Sequence, residues 1–433
     1  MKESKQPRFF IWAAFISLVI YSCNQSNPKD FDVFIEDLGM NVSEALPVNN
    51  ADYETIRLPE SIDRSIPMSE LIDSLWYIRL ETHDNALIGN ISKILYHENR
   101  YYIFDRTQTG SLFIFDSAGK FLNQIAPKGR GPGEFVKAEN FVINSKENVL
   151  EITDHSLHKI FCYNTQGDFL YDKNLYFYFY DYQYLDTLAY ISTYHSYNIH
   201  FPQIDNYKFL VGSSEFDSIL YVGLPYDVEK ERKYNFGALS SLYPTSNQVL
   251  LHEPLSDTIY EIRPTEVRAK YVFDFHKFKV PEDMWNYSST EKFLEKYLDS
   301  PYYALFPGEI IDNRRFLYFR LIFNGKNIML FYDKVSKEVF GGSMLDNTEM
   351  KNAIFFTPPI SQTEEAFISV LQASDIYNYS QEWSRNPDIR KYRSDEIIEF
   401  CKETKINDNP VLMHFTLKTN MKWKEGLGSY HKL

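Results

Sequence analysis

The feature that most limits how this chain can fold is an internal repeat of about 48 residues. The stretch RYYIFDRTQTGSLFIFDSAGKFLNQI, residues 100–125, aligns with NVLEITDHSLHKIFCYNTQGDFLYDK, residues 148–173. Each copy predicts two strands joined by a polar turn, then a glycine-containing hairpin turn and a third strand. One further strand-like segment precedes each copy. Four antiparallel strands in a repeat of this length are typical of one blade of a β-propeller.

Weaker copies of the same pattern follow, and aromatic residues, which favour strands, make up 17% of the chain. Blades that begin near residues 87, 136, 188, 240, 302 and 352 bring the number to six. The last blade needs one more strand, and SLWYIRLET, residues 74–82, alternates as a strand does. We therefore predict an all-β fold, a six-bladed β-propeller closed by pairing an N-terminal strand with C-terminal ones. Closure removes exposed sheet edges.

Two short helical insertions interrupt the strand pattern. STEKFLEKYLDS, residues 289–300, begins with a serine or threonine as N-cap and carries apolar residues at helical spacing. RSDEIIEFCKETK, residues 393–405, places acidic residues directly after Ser394 and apolar residues on one face. Each insertion lies between strands, so each is expected to cover part of one face of the propeller.

The first residues have the pattern of an export signal. Lys2, Lys5 and Arg8 precede the apolar run FFIWAAFISLVI, residues 9–20, which at twelve residues is shorter than the roughly 20 that a spanning helix needs. The following VIYSC resembles a bacterial lipobox, in which the cysteine, here Cys23, becomes the first mature residue and the site of lipid attachment. The alternative is an ordinary secretory signal that happens to precede a cysteine.

The sequence thus divides into three parts: a lipoprotein signal peptide at 1–22, a polar, acidic tether at 23–65 and the propeller at 66–433. This predicts a protein of the cell envelope, anchored by lipid in the outer membrane and facing the periplasm or the surface. Its remaining cysteines, Cys162 and Cys401, are few for a disulfide framework, and we expect no bridge between them.

The net charge of −14 comes from acidic and basic residues that are interspersed. A nucleic-acid-binding domain needs a basic face, so a nucleic-acid partner is excluded. We expect a monomer whose membrane contact is the lipid on Cys23.

The stretch LETHDNALIGNISKILYHENRYYIFDRTQTGSLFIFDSAGKFLNQIAPKGRGPGEF, residues 80–135, resembles NHL-type six-bladed propellers. It is most similar to a family of bacterial lipoproteins described as six-bladed propeller proteins. The chain departs from that family's pattern at Ala126-Pro127 and at Phe135. The resemblance implies propeller architecture and an envelope location. It implies no catalytic residue, because that family has no settled activity.

The loop KGRGPGEF, residues 128–135, holds three alternating glycines and raises the question of a phosphate-binding loop. A dinucleotide-binding loop has the spacing G-x-G-x-x-G and opens a helix, whose N–H groups meet the phosphates. Here the spacing differs, Pro132 lacks an N–H, and a strand follows. We predict a structural turn that crosses from the first blade to the second, with Arg130 and Glu134 placed to face a central pocket.

Other candidates for chemistry are weaker. His155 and His158 share a turn but lack the further ligands of a zinc site. Asp105, Asp154 and Asp257 recur near strand ends, where a calcium ring is one interpretation and hydrogen bonding of the turn backbone is the favoured one. There is no G-x-S-x-G motif. We predict no catalytic residue, no metal site and no cofactor.

The run YFYFYDYQY, residues 176–184, is unusually aromatic. The favoured interpretation is an outer strand packed between blades, and the alternative is an exposed platform on which sugar rings stack. Tyr194 and His195 follow it and are expected nearer the channel.

These observations favour a binding module for a glycan, a peptide or a partner envelope protein, at the funnel where first strands and crossover loops converge. The candidate ligand contacts are Arg130, Glu134, Tyr194, His195 and Arg320. The alternative is a metal-dependent propeller hydrolase, lactonase or lyase. It needs a cluster of carboxylates or histidines around one metal, and the predicted innermost strands are poor in carboxylates.

Overall fold

The fold is all-β and is the predicted six-bladed β-propeller with a few short helices. The computed structural model describes residues 38–419 except 41, 43–44, 128, 194–195, 197, 228–240, 246–247 and 387–389. The chain divides into two compact units, which are described separately. The first unit comprises Met1–Leu58, Lys173–Ile310 and Arg320–Asn327, and the second comprises Pro59–Asp172, Ile311–Phe319 and Ile328–Leu433.

The strands up to residue 225 are, in chain order, β1 (Gly39–Met40), β2 (Val48–Asn49), β3 (Glu54–Arg57), β4 (Ser65–Pro67), β5 (Ile72–Arg79), β6 (Lys93–His97), β7 (Arg100–Asp105), β8 (Ser111–Asp116), β9 (Phe121–Ile125), β10 (Asn140–Asn144), β11 (Val149–Asp154), β12 (Lys159–Asn164), β13 (Phe169–Asn174), β14 (Asp181–Leu185), β15 (Leu188–Ser192), β16 (Tyr207–Ser213) and β17 (Ser218–Pro225). A one-turn helix, α1 (Met68–Leu71), lies between β4 and β5.

The strands from residue 242 onward are β18 (Leu242–Pro244), β19 (Val249–Leu251), β20 (Thr258–Ile262), β21 (Val267–Asp274), β22 (Ala304–Leu305), β23 (Ile310–Asp312), β24 (Phe316–Phe323), β25 (Lys326–Asp333), β26 (Glu338–Gly342), β27 (Met344–Asp346), β28 (Pro359–Gln362), β29 (Phe367–Leu371) and β30 (Val411–Leu417). The helices of this part are α2 (Thr290–Tyr297), α3 (Ala373–Arg385) and α4 (Asp395–Glu403), with 3₁₀ turns at His276–Phe278 and Glu282–Asn286.

Six sheets form the blades. Their strand orders are β6-β7-β8-β9, β10-β11-β12-β13, β14-β15-β16-β17, β18-β19-β20-β21, β22-β24-β25-β26 and β28-β29-β30-β5. The two copies of the sequence repeat are therefore the first two blades. The third blade begins at Asp181, earlier than the predicted start near residue 188.

The predicted closure is confirmed within the second unit. Strand β5 pairs antiparallel with β30, in a register that runs from Val411↔Arg79 to Leu417↔Ile72. The sixth blade thus takes its outermost strand from the N-terminal side of the sequence.

Part of the stretch predicted as an acidic tether is paired with the blades, which was not expected from its sequence. In the first unit β1 pairs parallel with β17, and β2 and β3 pair parallel with β21. In the second unit β4 pairs parallel with β27. Residues 38–67 therefore add short strands next to the blades.

Strands in the middle of a blade are apolar on both faces because side chains pack against them from both sides. In β7 all residues after Arg100 are buried, and in β11 every residue is. The outermost strand β21 instead alternates strictly between buried and partly exposed residues. The side chains between the first two blades form one apolar cluster that includes Tyr102, Phe135 and Phe161.

Both predicted helices are confirmed. Ser289 caps α2 by accepting a hydrogen bond from the Lys292 N–H at 3.4 Å, and Ser394 caps α4 through the Ile397 N–H at 3.3 Å. The helix α3 was not predicted, since its sequence was interpreted as part of a strand region. It packs in the second unit through Ile376 and Trp383.

Cys162 and Cys401 are both buried free thiols, and burial raises the pKa of Cys401 to about 12. Among the helices within the described residues, none has the length and hydropathy needed to cross a membrane.

Candidate functional site

The glycine loop folds around its own carboxylate, which confirms the structural interpretation. The Gly131 N–H donates to Glu134 Oε2 at 3.1 Å. A Cβ atom on Gly129 or Gly131 would lie 2.7 or 3.0 Å from that oxygen, so a side chain at either place requires a shift. Gly133 has a φ of +71°, and the Phe169 ring lies 2.6 Å from where its Cβ would be. Of the three glycines, Gly133 is the one whose positive φ and close approach a larger residue would strain.

Two of the predicted ligand contacts belong to this loop, in the second unit. Glu134 is partly buried, and one of its carboxylate oxygens is engaged by the Gly131 N–H. Arg130 is exposed. The structure therefore gives Glu134 a role in the turn itself.

Asp154 organises the turn of the second blade with both carboxylate oxygens. Its Oδ1 accepts from the Ser156 N–H at 2.9 Å, the Ser156 hydroxyl at 2.5 Å and the Leu157 N–H at 3.1 Å. Its Oδ2 accepts from the N–H groups of Val136 and Lys137 at 2.8 and 2.9 Å. The side chain is fully buried. One oxygen thus fixes the turn that follows, and the other fixes the loop that enters the blade.

Asp105 has the same place in the first blade. Its Oδ1 accepts from the Gln108 N–H at 3.0 Å, and its Oδ2 accepts from the Gly89 N–H at 2.9 Å. The predicted backbone role is therefore confirmed for Asp105 and Asp154. Asp257 differs, because its side chain is 45% exposed and contacts Thr258 and Lys279.

In the fourth blade the corresponding place, directly after the second strand, belongs to His252. The ring is buried, and its Nε2 donates to the Ser256 carbonyl oxygen at 3.1 Å across the turn. It packs on Phe306 with ring centroids 4.2 Å apart. Burial lowers the pKa of His252 to about 4, so the ring is neutral at pH 7 and acts as a turn-forming group.

A further group of polar side chains surrounds Arg320 in the first unit. On the otherwise apolar strand β24, the Arg320 guanidinium forms a two-pronged ion pair with Glu309, in which Nε lies 2.6 Å from Oε2 and Nη2 contacts Oε1. Its Nη1 donates to Asn327 Oδ1 at 2.6 Å. The side chain of Arg320 is 13% exposed and that of Glu309 is 35% exposed. We call Glu309, Arg320, Asn327 and Tyr243 the Arg320 cluster.

Tyr243 joins this cluster through the backbone. Its hydroxyl donates to the carbonyl oxygen of Gly308, the residue before Glu309, at 2.5 Å. Burial, with the nearby carboxylates of Glu309 and Asp181, raises the pKa of Tyr243 well above its usual value. The phenol therefore stays protonated and remains a hydrogen-bonding group at neutral and alkaline pH.

The aromatic run does not form the predicted outer strand. Residues 176–180 form the connection that leads to β14, the innermost strand of the third blade. Phe179 and Tyr182 are buried and pack around Phe216, with centroids 5.5 and 5.0 Å from it. The favoured interpretation, that these rings are packed and not exposed, is therefore correct for Phe179 and Tyr182, although they do not lie on an outer strand.

The remaining predicted site residues, Cys23, Tyr194 and His195, lie outside the described residues. Arg320 was predicted from the sequence, whereas its partners Glu309 and Asn327 were not. An arginine in the apolar run FLYFRLIF needs a carboxylate partner if it is buried. The spacing of residues in the sequence does not show which carboxylate that is. Across the described part of the chain, His, Cys, Asp and Glu side chains do not gather in threes as metal ligands.

A family model described as a domain of unknown function (DUF4934) matches residues 53–416. No curated protein matches the sequence. The match to this family does not test the expected membership of the NHL-type lipoprotein family. The six-bladed fold that the resemblance implied is present.

The chain is also similar to solved structures of other proteins. A protein described as exported, from Bacteroides fragilis NCTC 9343, superposes with a TM-score of 0.68 at 20% identity, covering 84% of this chain and all of that one. A DUF4221 family member from Bacteroides vulgatus gives a TM-score of 0.45 at 10% identity, covering 81% of this chain and 98% of its own. BamB from Moraxella catarrhalis gives 0.36 at 10% identity, covering 68% and 72%. At these identities the likeness concerns the fold alone.

Proposed function

The chain belongs to the DUF4934 family, and from that premise we propose that it is a binding module of the cell envelope whose site favours a neutral glycan. The observation that carries this proposal is the Arg320 cluster, a fixed set of hydrogen-bonding groups with partial exposure. Binding sites place a few oriented polar groups in this way on a rigid scaffold.

The charge state of the cluster argues for a neutral ligand. The Arg320 guanidinium is already neutralised by two contacts with Glu309, so an anionic ligand would gain little attraction and would meet the carboxylate. The Glu309 oxygens have further lone pairs, and the Asn327 side chain carries N–H donors. Acceptors and donors side by side match the adjacent hydroxyl groups of a sugar.

Tyr243 adds a hydroxyl that remains protonated. Its proton is given to the Gly308 carbonyl oxygen, which fixes the backbone next to Glu309. The hydrolase alternative draws no support from the described residues, whereas binding needs only the groups present.

The location rests on two observations. The first 22 residues have the features of a lipoprotein signal peptide that ends before Cys23, and one protein of the same fold is described as exported. Both support an extracytoplasmic location, and the first supports a lipid anchor. Labelled palmitate should enter the wild-type protein in cells but not a Cys23→Ser variant; equal labelling would contradict the anchor.

The binding proposal is tested on a glycan array with the chain from residue 24 onward. We expect retention of neutral glycans, with affinity reduced at least tenfold in Arg320→Lys, which keeps the charge but loses the two-pronged geometry. Asn327→Ala should also weaken binding. The matched control is Arg57→Lys, since Arg57 also pairs with a carboxylate, that of Asp274, but its side chain is 72% exposed.

Either of two results would overturn the proposal: no glycan is retained, or the retained glycan binds Arg320→Lys and Asn327→Ala as tightly as the wild type. Retention of peptides alone, lost in the same variants, would reassign the site from glycans to peptides.

A further inference from the structure

Lys334, which directly follows β25, reaches the turn between β23 and β24 in the second unit. Its Nζ lies 2.5 Å from Asp312 Oδ1 and donates to the backbone carbonyl oxygen of Asn313, also at 2.5 Å. The side chain of Lys334 is 21% exposed and that of Asp312 is 4% exposed. An amine and a carboxylate are thus held next to each other, against the backbone of an asparagine, with little access to water.

The backbone and a neighbouring ion pair hold the lysine in this place. The Lys334 N–H donates to the Arg315 carbonyl oxygen at 3.0 Å. The Arg315 guanidinium pairs with Asp333 through two contacts, Nε to Oδ1 at 3.1 Å and Nη2 to Oδ2 at 2.8 Å. Since Arg315 belongs to the turn before β24 and Asp333 ends β25, these bonds fasten the hairpin after β25 to that turn.

The side chain of Asn313 is fixed in one orientation beside the lysine. Its Oδ1 accepts hydrogen bonds from the N–H groups of Arg315 at 3.1 Å and Phe316 at 2.8 Å. Its Nδ2 is buried and has no hydrogen-bond partner among the described residues, and the residue as a whole is 5% exposed. Because buried amide donors are normally paired, this NH₂ group requires an explanation.

Asn313, Lys334 and Asp312 together have the groups that an amide exchange requires. The two N–H donors on Asn313 Oδ1 stabilise the negative charge that forms there when Cγ is attacked. The Lys334 amine is the nucleophile, and its position against the same residue replaces a collision in solution. The Asp312 carboxylate accepts a proton from the lysine. The Nδ2 group is the leaving group.

We propose that Lys334 and Asn313 join in an amide cross-link that the folded protein forms by itself. One proton of the Lys334 ammonium passes to Asp312, and Nζ attacks Asn313 Cγ. A second proton moves from Nζ to Nδ2, the Nζ–Cγ bond replaces the Cγ–Nδ2 bond, and ammonia leaves. The third proton stays on Nζ as the amide N–H. Asp312 gives its proton to the departing ammonia, which becomes ammonium, and the carboxylate then accepts from the new amide N–H.

The cross-link closes a covalent ring of residues 313–334, which contains β24 and β25. It restricts the unfolded chain, so it stabilises the folded blade without a new contact. The bond forms only after folding, because Asp312 and Lys334 are brought together by the turn and the hairpin. The reaction also explains the buried Nδ2 group, which leaves as ammonia.

The test is the intact mass of the chain from residue 24 onward, measured by mass spectrometry after purification from cells. We expect a mass lower than that of the sequence by one ammonia, and a branched tryptic peptide that joins Lys334 to Asn313. Lys334→Arg keeps the charge beside Asp312 but forms no amide, so it should have its full sequence mass. The matched control is Lys93→Arg, because Lys93 Nζ also contacts an asparagine, Asn140, at 3.0 Å. This control should keep the loss of one ammonia.

The branched peptide is sought in the wild type, so the test does not require the variants to fold. The proposal is wrong if the wild type has its full sequence mass, if Lys334→Arg still lacks one ammonia, or if the branched peptide joins other residues. A succinimide at Asn324-Gly325 also releases ammonia, but it persists in Lys334→Arg and gives no branched peptide. Because the measurement needs no ligand, its outcome is independent of the glycan site proposed at Arg320.

Discussion

Replacing Asp154 by asparagine tests whether the recurring aspartates hold the blades together. The substitution keeps the size of the side chain but turns one carboxylate oxygen into an NH₂ group. If the remaining oxygen keeps the three donors from Ser156 and Leu157, the NH₂ group faces the N–H groups of Val136 and Lys137. Two buried donors then lose their acceptor, each at about 1–3 kcal/mol. We expect the free energy of unfolding to fall by about 4 kcal/mol.

The assay is urea denaturation followed by tryptophan fluorescence, with the thermal midpoint as a second measure. The control is Asp257→Asn, because the sequence places Asp257 in the same series while the structure leaves its side chain 45% exposed. Its unfolding free energy should change by less than about 0.5 kcal/mol. A loss of less than about 1 kcal/mol in Asp154→Asn, the lower bound for one lost acceptor, or an equal loss in Asp257→Asn, would refute the role assigned to Asp154.

Two further predictions concern glycines with positive φ and the buried His414. Gly119 and Gly110 have φ of +83° and +64°, but only at Gly119 would a Cβ overlap a backbone atom, the Arg79 carbonyl oxygen. In thermal unfolding, Gly110→Ala should lower the free energy of unfolding by about 1 kcal/mol, and Gly119→Ala should lower it by at least twice as much. Equal losses would show that the overlap with the Arg79 carbonyl oxygen does not matter. Burial lowers the pKa of His414 to about 4 from about 6.5 in the unfolded chain. The unfolded state therefore binds the proton first, and stability falls as the pH drops from 6.5 to 4, by about 3 kcal/mol. His414→Gln should lose less stability over this range than the wild type in urea titrations, and an unchanged pH dependence would refute the assignment.

The blades could be predicted because their signature is local. Asp105 and Asp154 end equivalent strands, and a glycine-containing hairpin follows each at nearly the same spacing. Strands β1 to β3 could not be predicted in the same way, since two to four residues paired through their backbone carry no side-chain period. The helix α3 was missed because its tyrosines and isoleucine favour strands, although Ala373, Ile376, Ser380 and Trp383 repeat at helical spacing.

The candidate site could be predicted only in part because its members meet through the fold. Arg320 stands out as a charge in an apolar strand, but Tyr243 reaches the cluster through Gly308, 65 residues away in sequence. Glu134 was expected at a pocket because of its loop, and the structure shows its carboxylate engaged by Gly131. Sequence identifies groups that need partners, and tertiary contacts decide which partners they obtain.

The pairing of β5 with β30 has a consequence for the order of folding. Ser74 and Thr416, which are hydrogen-bonded across this pair, lie 342 residues apart. Bringing the ends of so long a segment together costs about 5 kcal/mol in chain entropy, which is repaid only when the intervening blades have formed. Strand β5 is therefore synthesised long before β30, the strand with which it pairs. If translation stops before residue 411, the released chain lacks β30, and both β5 and β29 are left without their partner strand. Chaperones and proteases can recognise such a chain.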